Sequence, residues 1–169
     1  MANLKLEIAQ RKPFASLGEE AFLNLLRTSD RLHRAFERKA RAWGVTSTQY
    51  NVLRILRGAH PDGLTCAAIG ERMIAAVPDI TRLLARMKKL NLIRQRRDRR
   101  DRRTVRTHIS PAGLELLQAL DPLIQGLPGD LLGHMSAAEL AELIRLLELA
   151  RRHSEEISGR QPTSESHGP

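Results

Sequence analysis

Residues 80–113 read ITRLLARMKKLNLIRQRRDRRDRRTVRTHISPAG, and three textures follow one another along them. Ile80, Leu83/Leu84 and Met87 recur at helical spacing, so the opposite face of that helix carries Asp79, Arg82, Arg86 and Lys89. Asn91 tolerates the left-handed conformation that ends a helix. Beyond it the period changes to two. Leu92 to Arg97 reads as a strand, Asp98 to Arg103 as a hairpin tip, and Thr104 to Ser110 as a second strand. In that second strand Val105, Thr107 and Ile109 alternate with Arg106 and His108. Ser110-Pro111 then opens another helix.

The hairpin concentrates the charge of the chain. Arg94 to Arg103 holds seven arginines and two aspartates, a net +5, and Arg106 raises it to +6 of the chain's +9. A run this basic can be a solvated face or a disordered arm. Here it lies between two strand-like segments, which favours a stiff basic finger of the kind that suits a narrow, negative minor groove. Asp98 and Asp101 are expected to orient neighbouring guanidiniums by bidentate pairing. The helix before it is, taken alone, no more than a charged surface helix. Directly preceding the arginine hairpin, it reads as a recognition helix whose arginines reach guanine edges or phosphates in a major groove.

Upstream, Pro78 suits the first turn of that helix and the 74–77 segment supplies a turn before it. Gly70 lies on a short preceding helix with Thr65 as N-cap and Ile69 and Met73 inward; a small residue there lets a second helix cross closely. Pro61-Asp62-Gly63 is a turn. Thr46-x-x-Gln49 is a capping box, flanked by Val45 and Tyr50 as a hydrophobic staple, and starts a helix ending near Gly58. A long amphipathic segment from Ser16 to Trp43 precedes it. Downstream, Leu114, Leu117, Leu120 and Leu123/Ile124 continue the helix, which Pro122 should kink and Pro128-Gly129 should break or end. Ser136-x-x-Glu139 is a second capping box before a final helix. From 154 the chain is polar and reads as a disordered tail. The order is four helices, a basic hairpin and two helices: mainly α with a small β-hairpin wing.

Composition narrows the partners. Of 169 residues, 28 are Lys or Arg against 19 Asp or Glu, an excess that calls for a polyanion. The five aromatic residues, Phe14, Phe22, Phe36, Trp43 and Tyr50, all precede the basic region, so no rings are there to stack unpaired bases. Duplex binding is favoured over single-strand binding. Cys66 is the lone cysteine, which suits a reducing cytoplasm; it reads first as a small packing residue, with redox sensing the lesser reading. The first thirteen residues have no signal-peptide core, and no uncharged stretch is long enough to span a bilayer, so a soluble cytoplasmic protein is expected. No catalytic constellation is evident, and an enzyme is not expected. No cofactor is implied. His33 and Glu37 share a helix face at i,i+4, but without a third ligand a surface pair is favoured over a metal site.

With these residues in place, the chain resembles the MarR (multiple antibiotic resistance regulator) family of winged-helix transcription factors. The resemblance is carried by Gln49-Tyr50-Asn51-Val52-Leu53, Gly63-Leu64-Thr65, Ile69-Gly70-Glu71-Arg72-Met73, Ile80-Thr81-Arg82-Leu83-Leu84, and Asp101-Arg102-Arg103 through Ile109-Ser110-Pro111-Ala112-Gly113. It covers residues 17–152. It implies a winged helix-turn-helix with a helical dimerisation region: 1–44 an N-terminal segment and dimerisation helix, 45–110 the DNA-binding domain, 111–153 C-terminal dimerisation helices, and 154–169 the tail. It implies a homodimer on a near-palindromic operator, acting as a repressor. Thr81, Arg82 and Arg86 match recognition-helix positions, and Arg103 the wing arginine with Asp101 as its orienting carboxylate. With Asp79, Lys89, Arg99, Arg100 and Arg102 these make the expected DNA-binding set. Asn91 replaces the usual glycine, and Pro78-Asp79 replaces small hydroxyl residues, so base preferences do not carry over. The resemblance also implies a cleft for a small aromatic ligand, for which His33, Trp43 and Tyr50 are the candidates. The rival readings are a nonspecific architectural DNA- or RNA-binding protein using the wing as a basic arm, and a membrane-surface protein. Against the second, the arginines sit on a hairpin rather than on an amphipathic helix.

Overall fold

A computed structural model of the chain describes residues 3–98 and 101–158, the last five of them as backbone only. The elements are α1 (Leu4–Glu7), α2 (Leu17–Arg41), α3 (Ser47–Gly58), α4 (Cys66–Glu71), α5 (Ile80–Lys89), β1 (Ile93–Arg97), β2 (Val105–Ile109), α6 (Pro111–Leu132) and α7 (Ala137–Ser158). Two compact units result, 1–127 and 128–169. The mainly helical architecture with one basic hairpin is the expected one. The short α1, capped by Asn3, has no counterpart in the sequence expectations. Its Glu7 pairs with Arg27 and Arg31 of α2.

The capping signals explain where the helices begin. Thr46 and Gln49 make both bonds of the capping box, Gln49 N–H to Thr46 Oγ1 at 3.1 Å and Thr46 N–H to Gln49 Oε1 at 2.9 Å. Val45 and Tyr50 are buried on either side of it. Ser136 and Glu139 make the second box ahead of α7. Glu37 adds a long-range cap, because its Oε2 accepts the Ser47 amide at 2.8 Å while Oε1 takes Arg41 Nε at 2.8 Å. Both carboxylate oxygens of Glu37 are thereby engaged in the protein's own hydrogen bonds. Among the described residues there is no cluster of three metal-ligating side chains.

The core of the first unit joins Val52, Leu53 and Leu56 of α3, Ile69 of α4, Leu84 and Met87 of α5, Ile93 and Ile109 of the hairpin, and Leu117, Leu120 and Ile124 of α6. Gly113 shows how closely these parts meet. A Cβ there would fall on the Leu92 carbonyl oxygen and within 3.2 Å of Leu53 Cδ2. Tyr50 and Arg57 of α3 both bond Asp121 of α6, the tyrosine hydroxyl at 3.0 Å. Burial pushes the Asp121 carboxyl up, but the hydrogen bonds from Arg57 and Tyr50 and the Arg57 charge outweigh it and hold the group below the usual carboxylate range. Tyr50 is pushed up, by burial first and then by its bond to Asp121.

Three sequence expectations need correcting. α6 runs on through Pro128-Gly129 to Leu132, so that pair neither breaks nor ends it. Each proline in the helix lacks a backbone donor, while Leu117, Leu120, Ile124 and Leu127 of the same helix are buried. Pro78 lies ahead of α5 rather than in its first turn, because Asp79 is the N-cap. α7 extends to Ser158, past the expected start of the tail; the remainder of that tail, 159–169, lies outside the described residues. Among the described residues no helix is long and apolar enough to cross a membrane.

Candidate nucleic-acid interface

α5 is held from below and free above. Leu84 and Met87 are fully buried, and Ile80 lies beside Gly70 of α4, where an added Cβ would meet Ile80 Cδ1 at an ordinary contact distance of 3.7 Å. Gly70 therefore faces α5, but the spacing there does not require a glycine. Asp79 caps the helix by accepting the Arg82 amide at 2.8 Å. Its carboxylate thus has a structural duty at the position where a DNA contact is expected. Thr81 approaches Cys66 of α4, Oγ1 to Sγ 3.8 Å, so the half-buried thiol packs between the two helices. On the outer face Thr81, Arg82, Arg86, Lys88 and Lys89 are exposed. None of these four cations has a carboxylate partner among the described residues. Lys88 is an addition to the expected set. It sits beside Lys89 in the last turn, where cations also suit the helix dipole.

The turn from α5 into the wing is a complete Schellman motif. Asn91 has φ 58°, its N–H reaches Lys88 O at 3.0 Å, and Leu92 N–H reaches Met87 O at 3.0 Å. Asn91 replaces glycine at little cost, since a short polar side chain tolerates this region. The hairpin then pairs antiparallel, Ile93 with Ile109, Gln95 with Thr107 and Arg97 with Val105. Leu64 adds an isolated bridge to β2: its N–H donates to Thr107 O at 2.9 Å and its carbonyl accepts the Thr107 N–H at 2.7 Å. That bridge, unforeseen from sequence, ties the wing to the segment entering α4.

Wing cations and wing aspartates divide the work differently from the expectation. Arg94, Arg96, Arg97, Arg102 and Arg103 are exposed. Arg99 and Arg100 lie outside the described residues. Asp101 does not orient the Arg103 guanidinium. Its carboxylate accepts the Arg103 backbone N–H at 2.9 Å and the Thr104 hydroxyl at 2.7 Å, fastening the tip of the turn. Those two bonds, Thr104 first, hold its carboxyl below the usual range. A short polar side chain closing on its own backbone two or three residues on is the commoner behaviour of aspartate in turns. Asp98 does pair with a guanidinium, that of Arg106. Its backbone N–H donates to Thr104 O at 2.9 Å.

The three candidates for a ligand cleft are not gathered round one cavity. Tyr50 is buried edge-on to Phe36, with its hydroxyl bonded to Asp121, while His33 and Trp43 are exposed. A cavity of about 420 Å³ is lined by Asn3, Lys5, Phe14, Ser16, Leu17 and Glu20 instead.

The comparisons agree with this geometry. The family model of the MarR family matches residues 43–104, from the end of α2 to the tip of the wing. No protein of curated function matches in sequence. Among solved structures, a MarR transcription factor from Planctomyces limnophilus is 40% identical, over 81% of this chain and 99% of that one, with a TM-score of 0.62. MepR of S. aureus, solved in complex with DNA, is 21% identical over 77% of this chain and 96% of its own, with a TM-score of 0.70. BpsR of Bordetella bronchiseptica, whose DNA binding is regulated by 6-hydroxynicotinic acid, is 21% identical over 83% and 98%, with a TM-score of 0.72. The last two share the fold. The extent and identity of the first match, on a helix-turn-helix followed by an arginine-rich wing, place the chain in the MarR family of DNA-binding transcriptional regulators.

Proposed function

We propose that this regulator binds a near-palindromic operator as a homodimer, laying α5 in the major groove and the wing along the adjacent minor groove, and represses by occupying a promoter. The observation that carries the reading is the exposed face of α5, with four cations lacking carboxylate partners among the described residues, set directly before a hairpin whose tip is pinned by its own aspartates. Arg82 and Arg86, with Thr81, read bases, and Lys89, Arg99, Arg100, Arg102 and Arg103 hold phosphates or the minor groove. Exposed Leu17, Phe22, Leu25 and Leu26 on α2, and Ile144, Leu146 and Leu149 on α7, are apolar surface suited to a second copy. A small aromatic ligand that releases DNA is in keeping with BpsR and its 6-hydroxynicotinic acid.

Selection of bound duplexes from a random pool tests the reading, and a two-fold symmetric motif is the expected product. Arg82→Ala should weaken binding to that motif far more than to random duplex. Arg99→Ala should weaken both, and lower the salt slope by about one unit for each phosphate that the protein no longer neutralises. Equal losses on both duplexes for Arg82→Ala would favour a nonspecific architectural protein instead.

A further inference from the structure

The 61–64 turn and strand β2 meet along three consecutive residues. Thr107 exchanges two backbone hydrogen bonds with Leu64. On either side of it, two side chains from the same face of β2 reach the turn: His108 Nδ1 lies 3.1 Å from Pro61 O, and Arg106 Nη1 donates to Gly63 O at 3.3 Å. The fit is close, because a Cβ on Gly63 would sit 2.6 Å from His108 Nδ1 and 2.7 Å from Thr107 O, at a φ of +67° that itself favours glycine. The same Arg106 guanidinium pairs through Nε with Asp98 Oδ2. Asp98 Oδ1 in turn accepts the Asp101 N–H at 3.3 Å, and Asp101 fastens Arg103 and Thr104. An unbroken series of polar contacts therefore runs from the segment entering α4, through Arg106 and Asp98, to the tip of the wing.

We propose that Arg106 and Asp98 form a latch that sets the pose of the wing against the helix-turn-helix, so that Arg106 is a positioning residue and not a phosphate contact, and Asp98 strengthens DNA binding although it is an anion. The inference rests on the duplex-binding function proposed above. Arg106 is the one wing arginine with a side-chain carboxylate partner among the described residues, and its side chain is partly buried with donors directed at Asp98 and the Gly63 carbonyl. A planar fork can hold two acceptors at once, which a lysine ammonium on a flexible stem does not reproduce.

Charge alone and the latch give opposite signs, so the test is direct. Asp98→Asn makes the wing one unit more positive. If only net charge mattered, the duplex would bind more tightly, with steeper salt dependence. The latch predicts about tenfold weaker binding and a shallower slope, because the remaining arginines lose their common pose. Arg106→Lys keeps the charge; the latch predicts a loss similar to that of Asp98→Asn, whereas a plain phosphate contact would be largely retained. Asp98→Asn combined with Arg106→Lys should lose no more than the larger single loss, since partners in one contact are not additive. In the free protein, Asp101 and Thr104 amides should exchange faster in Asp98→Asn, at an unchanged melting temperature.

Wild-type or tighter binding by Asp98→Asn, or retention by Arg106→Lys, overturns the latch. So does global unfolding of both variants, which would make the pair a support of the whole fold. The comparison is run on random duplex as well as on the selected site. If the wild type prefers neither, the proposed sequence-specific function fails on its own, while the ranking of variants on random duplex still decides the latch.

Discussion

The recognition helix and the wing solve the same problem by different physics. Each must present several like charges in a fixed pose. α5 does so on a regular helix whose underside, Leu84 and Met87, is buried, so its cations need no anionic support. Among the described residues, the wing tip has no such buried underside. There Asp101 closes on backbone and hydroxyl, Asp98 holds Arg106, and rigidity comes from polar contacts in water. The difference teaches that an aspartate within a run of arginines is not simply a dilution of the charge. Its first effect here is on geometry.

The two anchoring modes should break under different insults. The largest effect is expected at the apolar anchor. Leu84→Ala should cost about 2–5 kcal/mol of global stability, read by chemical denaturation, because it leaves a cavity beneath α5. Gly113→Ala comes next, where the hairpin base meets α6. The new methyl would strike the Leu92 carbonyl, and a loss of about 1–3 kcal/mol is expected from overpacking. A neutral outcome at Gly113 would mean that the base of the wing is looser than the helix, which would erode the comparison.

This contrast also marks what can be read in the chain beforehand. Both capping boxes, the left-handed Asn91, the face of α5 and the alternation of β2 are local patterns, each settled within a few residues, and each is found in the structure. The contacts that escape such reading join distant positions: Leu64 with Thr107, Arg106 with Gly63, and Tyr50 with Asp121 across 71 residues. No spacing rule reports these. Pro128-Gly129 misleads as well, because a helix-breaking signal read locally does not stop α6 before Leu132. Asp101 is visible in the sequence but its duty is not, because charge pairing and backbone capping use the same side chain and the sequence does not say which donor is nearer.

Acid should separate the anchors further. Asp121 has its carboxyl lowered in the folded state, so the stability it contributes is complete above the ordinary carboxylate range and disappears as pH falls through its lowered value. Tyr50 is raised, so its contribution is complete below the ordinary phenol range and is lost as pH climbs through the raised value. Stability measured against pH should therefore fall at both extremes, and Tyr50→Phe should flatten the alkaline limb. An unchanged alkaline limb in Tyr50→Phe would show that ionisation of the buried Tyr50 phenol does not govern stability there.

The smallest change in stability and the most local one belongs to Asp101→Asn. Its carboxylate is fully exposed, so the melting temperature should not move. What should change is the tip. An amide oxygen accepts the Arg103 and Thr104 donors less strongly than a carboxylate, so those two groups should exchange with solvent faster while the α5 amides stay protected. Added positive charge then competes with reduced order in the DNA-binding readout. If order prevails at Asp101 as the latch predicts for Asp98, affinity falls; if affinity rises with a steeper salt slope, the tip contributes charge alone, and the wing differs from α5 less than its hydrogen bonds suggest.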